Sequence, residues 1–185
     1  MAESTSSVLG AWSTFYIMTG SSAAALVGLM FVVITLATGS GRTNSREARL
    51  GTSTFSTPTV VHFGSALLVS AILAAPWPSL GGPATLLGLA GACGAVYVSR
   101  VFFRTKRLTT YSADVDDWIW YTILPFVAYG AVLVGAIGLL KIPEGALFSL
   151  AAGVALLIFI GIRNAWDIVT YVTIGGPDEP PKSEG

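Results

Sequence analysis

AWSTFYIMTGSSAAALVGLMFVVITLA, residues Ala11 to Ala37, contains no charged side chain and is longer than the ~20 apolar residues a helix needs to cross a bilayer. Within it Gly20, Ala24 and Gly28 recur at every fourth position, so a helix here carries one stripe almost without side chains, against which another backbone packs closely. This stretch decides the fold, because the rest of the chain repeats its solution.

The composition agrees with that reading. The 185 residues are 53% hydrophobic and only 11% charged, with a mean hydropathy of +0.72, which suits lipid rather than water. Ten basic and ten acidic residues leave no net charge to attract nucleic acid, so none is expected as a partner. A single cysteine, Cys93, lies in an apolar run, so no intrachain disulfide, thiol cluster, metal centre or cofactor is expected. Residues 1 to 10 lack the basic start of a secretory leader and read as a short polar tail, which makes Ala11 to Ala37 a retained span.

Working outward, the first span ends at Gly39 and Gly41, followed by Arg42, Arg46 and Arg49, which are too costly to leave in hydrocarbon. From Leu50 to Ser99 no charged residue occurs, a run suited to two helices with PWPSLGGP (Pro76 to Pro83) as the turn between them. The second arm of this hairpin carries Gly88, Gly91 and Gly94 at helix-contact spacing. Arg100, Arg104, Lys106 and Arg107 close the third span. Asp114, Asp116 and Asp117 precede the fourth, where carboxylates favour a helix N-terminus, and Pro125 inside it predicts a kink. Lys141 to Glu144 turn into a fifth span, and the tail 175 to 185 reads as disordered. The expectation is an all-α integral membrane protein, a bundle of five transmembrane helices near residues 11–37, 55–75, 84–103, 118–140 and 145–170, within one domain of residues 11–174.

Five spans also sort the basic residues. Nine of the ten fall on one side, and only Lys141 falls on the other. By the positive-inside rule the N-terminus is outside and the C-terminus cytoplasmic, in a multi-pass protein of the cell membrane. No internal repeat supports an inverted-repeat transporter.

Ionisable groups at membrane depth point to function by default, and here they concentrate toward the cytoplasmic face. His62 shares a helix face with Thr59 and Ser65, giving a polar seam, although an interhelical hydrogen bond explains it equally well. Arg163 and Asp167 stand four residues apart and are able to pair, with Asn164 beside them, and such a pair is also an ordinary structural feature of a helix end. Tyr97 and Arg100 end the third span at similar depth. Together these suggest a vestibule in which Arg100 and Arg163 meet a small solute, an anionic one by their charge, Asp167 and Asn164 hold Arg163 in place, and His62 tunes passage. The reading is a channel or small-solute permease, homo-oligomeric through its small-residue stripes. The competing reading is a non-transporting accessory or sensor subunit paired with another membrane protein. Enzymatic chemistry is disfavoured: a hydrolase would have to join His62 to Ser21, Ser22 or Ser65 without a nucleophile motif.

Overall fold

The computed structural model describes residues 2–39, 46–106 and 118–174, with side chains over 8–35, 57–103 and 118–170. Five helices are long and apolar enough to span a membrane: α1 (Ala2–Gly39), α2 (Arg46–Ala74), α3 (Gly81–Lys106), the π-helical turn Ile119–Ile123 running into α4 (Leu124–Gly138), and α5 (Pro143–Ile174). No strand occurs among the described residues. These elements fit a multi-pass membrane protein, since each helix satisfies its backbone internally as hydrocarbon requires.

The five apolar spans fall where expected, while two helices start earlier than the spans they carry and the fourth has a local irregularity at Pro125. Residues 2–10, expected as a tail, are helical, and Val8 and Leu9 pack into the core, which holds the first turns in register with the bundle. The second helix begins at Arg46 rather than near residue 55 and runs through Pro58, which costs it one backbone hydrogen bond without ending it. Pro125 is preceded by a π turn in which the Leu124 N–H bonds to the Ile119 carbonyl, a local widening beside a residue with no N–H of its own. Arg42, Arg107, Asp114, Asp116, Asp117 and the tail 175–185 lie outside the described residues.

Lipid offers no hydrophobic drive for helices to associate, so close packing and interhelical hydrogen bonds hold the bundle. Sequential neighbours run antiparallel. The Tyr16 hydroxyl donates to the Leu147 carbonyl at 3.0 Å, and Thr19 Oγ1 meets Ser70 Oγ at 3.1 Å, joining α1 to α5 and to α2. Trp12 stacks edge-on against Phe148 at 4.6 Å between ring centres. At the α2–α3 turn, Trp77 Nε1 donates to the Ile72 carbonyl at 2.6 Å, and its ring lies over Gly82.

The two small-residue stripes have different fates. On α3, Gly91 faces Leu133, with only 2.8 Å between a built Cβ and Leu133 Cγ, Gly94 lies against the Tyr129 ring, and Gly88 approaches Ala136. That stripe is consumed within the monomer by α4. On α1 only Gly20 is covered, by Ser70, while Ala24 is exposed and Gly28 has nothing within 4 Å of a built Cβ.

Candidate functional site

Close approach of the helices creates a buried polar junction. Because Gly94 has no side chain, the Tyr129 ring of α4 seats against α3 and its hydroxyl reaches α2. There it meets His62 Nδ1 at 3.1 Å and Ser65 Oγ at 3.0 Å. His62 is 2% exposed and Tyr129 1%, so both groups would be costly to bury without these bonds. Thr59, one turn before His62 on the same face, is fully buried.

A second group lies toward the ends of the helices away from the α2–α3 turn. Gly161 of α5 admits the ring of Phe63 from α2, and Met30 and Ile168 complete this contact, with Val60 and Ala165 packed around it. Asn164 stands one turn beyond Gly161 on the same face of α5, level with residues 59 and 60 of the antiparallel α2 by the ~1.5 Å rise per residue. It is 0% exposed, and neither Nδ2 nor Oδ1 has a hydrogen-bond partner. Leaving both ends of an amide unpartnered costs on the order of 1–3 kcal/mol for each group, and among the described residues Asn164 alone has buried side-chain polar atoms without a partner.

Arg163, next to it, points elsewhere. Its guanidinium pairs with Asp167 one turn on, with 40% and 39% of the two side chains exposed, and lies over the Trp120 ring of the π turn at 5.8 Å. The pairing foreseen from the four-residue spacing is present. The expected brace from Asn164 to Arg163 is not, because consecutive helical residues are about 100° apart and Asn164 faces the interior. Tyr97 packs half-buried against the core, one turn from Gly94. Arg100, a turn further, is exposed and stands apart from the buried groups.

Tyr129 was missed by sequence reasoning. A tyrosine in YGAVLVGAIGLL looks like any interfacial aromatic, and its link to His62 spans 67 residues. The one available signal was complementary: a lone intramembrane histidine demands a partner, and a glycine stripe on a neighbouring helix gives a bulky side chain room to supply it. Of the serines considered as nucleophiles, Ser65 shares the Tyr129 hydroxyl with His62, Ser22 donates to the Met18 carbonyl, and Ser21 is exposed on α1. Among the described residues no group of three or more His, Cys, Asp or Glu converges as a metal site would require.

Comparison with known proteins finds no matching family model, curated relative or solved structure.

Proposed function

We propose that the protein is a channel or small-solute permease of the cell membrane, homo-oligomeric, with its N-terminus outside and its C-terminus in the cytoplasm. The observation that carries this reading is Asn164: a fully buried amide with both hydrogen-bonding ends unpartnered, within a span and level with residues 59 and 60, on the turn of α2 that precedes His62. A chain that needed only to be stable would gain by an apolar residue there. The arrangement supports a non-enzymatic role, since His62 and Ser65 both engage the Tyr129 hydroxyl, tying helices together instead of poising a nucleophile.

Purified protein reconstituted in liposomes tests this directly. Flux of anions, cations and neutral solutes is measured for wild type, His62→Ala and Arg163→Ala. Flux for at least one solute class, reduced by His62→Ala, is expected. Silence for every class, with a stoichiometric partner co-purifying, would establish the accessory-subunit reading, which the exposed Ala24 and Gly28 face of α1 favours as a seat for another helix. Orientation is checked by labelling single cysteines in a Cys93→Ala background: Ser79→Cys reacts from outside and Ser45→Cys only after permeabilisation.

A further inference from the structure

We propose that Asn164 is the anchoring contact for a small uncharged solute bearing a carboxamide or urea group, an inference that rests on the permeation reading of the same site. Two independent features narrow the ligand to this class.

The first is the amide itself. Asn164 is wholly buried on the face of α5 that carries Gly161, where Phe63 of α2 packs, and it presents the Nδ2 amide hydrogens beside the Oδ1 acceptor, none of them with a partner. A carboxamide or urea matches that pattern edge to edge: its carbonyl accepts from Nδ2–H while its N–H donates to Oδ1. A carboxylate or inorganic anion engages Nδ2 alone and sets its charge against Oδ1. A cation meets the opposite conflict. A hydroxyl reaches both ends only through a single oxygen, with hydrogen bonds more bent than the two parallel ones of a paired amide edge.

The second is charge. The basic side chain adjoining Asn164 is already compensated, because Arg163 pairs with Asp167 and lies over Trp120, and Arg100 is exposed on α3. The other groups near this depth, Thr59, His62, Ser65 and Tyr129, add hydroxyls and one imidazole. This makes an anionic solute, the first expectation from the sequence, a poor fit to Asn164, since an unpaired cation is what anion selection at depth needs.

The chain contains two asparagines, Asn44 and Asn164, and no glutamine, so a two-dimensional ¹⁵N–¹H spectrum of labelled protein in nanodiscs holds only two side-chain amide pairs. Asn164→Asp assigns one of them by its loss. Acetamide and urea are titrated against acetate and chloride, and influx of the same solutes is followed in liposomes with wild type and Asn164→Leu. The expected result is a saturable shift of the Asn164 pair with acetamide and urea but not with acetate, and a roughly tenfold fall in urea influx in Asn164→Leu. The wild-type titration decides the matter even if Asn164→Leu does not fold. A pair that ignores the amides, responds equally to acetate, or contacts only bound water overturns the proposal. A saturable amide shift without flux of any solute keeps this site and removes the permeation reading. Flux of neutral solutes with an unmoved Asn164 pair does the reverse.

Discussion

The Tyr129 ring lies directly on the backbone of Gly94, so close that a methyl group at position 94 would occupy the space of the ring carbons. This contact sets how far α4 reaches across to α2, and the His62 junction depends on it. Gly94→Ala must push α3 and α4 apart, and overpacking of this kind costs about 1–3 kcal/mol. Gly88→Ala, on the same stripe but with 4.0 Å to the Ala136 Cβ, makes an ordinary contact and should be neutral. Thermal unfolding in detergent compares the two: a clear drop in midpoint is expected for Gly94→Ala only, and equal midpoints would contradict the packing described.

Tyr129→Phe keeps the ring and removes the hydroxyl, leaving His62 Nδ1 and Ser65 Oγ without that partner. Interhelical hydrogen bonds in membranes contribute about 0.6–1.7 kcal/mol, and the loss should fall near the upper figure because His62 is buried. A double-mutant cycle with Ser65→Ala reads the coupling: adding Ser65→Ala to Tyr129→Phe should cost less than adding it to wild type. Strict additivity would show that the Ser65 contact contributes nothing.

Much of the fold was legible because the bilayer imposes it. The charge-free run from Leu50 to Ser99 and its PWPSLGGP break gave the α2–α3 hairpin, and Pro125 announced the disturbance realised as a π turn. Helix starts were less legible, since AESTSS and REARLGTS contain no residue that forbids a helix, and hydropathy reports where lipid begins rather than where hydrogen bonding stops. For the site, local spacing revealed the Arg163–Asp167 pair, which is a property of one helix. The His62–Tyr129 bond is a property of two helices and of the glycine on a third, and no local pattern encodes it.

The Arg163–Asp167 pair is about two-fifths exposed, so its contribution to stability is small. Asp167→Ala and Arg163→Ala should each cost under about 1 kcal/mol, with a coupling near 0.3–0.5 kcal/mol in a double-mutant cycle. Denaturant titration in mixed micelles measures both. A coupling of several kcal/mol would mean that the pair is far more desolvated than its exposure indicates.

Gly28 faces outward with nothing within 4 Å of a built Cβ, so Gly28→Leu should leave the midpoint of thermal unfolding unchanged. If α1 forms the contact between copies, the same substitution should reduce the detergent-resolved mass to that of a monomer. An oligomer indifferent to Gly28→Leu places the contact elsewhere, and a wild type that is monomeric in nanodiscs ends the homo-oligomer reading.

The turn closed by the Leu124 N–H on the Ile119 carbonyl contains one residue more than an α-helical turn. It is equivalent to an α-helix that has accepted a single-residue insertion, and each residue in a helix is worth about 100° of rotation. The indoles ahead of α4 are thereby swung round its axis by up to that angle, and Trp120 comes to lie under the Arg163 guanidinium. Removing Tyr121 or Thr122 would restore a regular helical turn and carry the Trp120 indole away from its cation. The aromatic seat of Arg163 is thus set by the length of this segment as much as by its composition, and a chain one residue shorter would need its tryptophan at a different position to rebuild it.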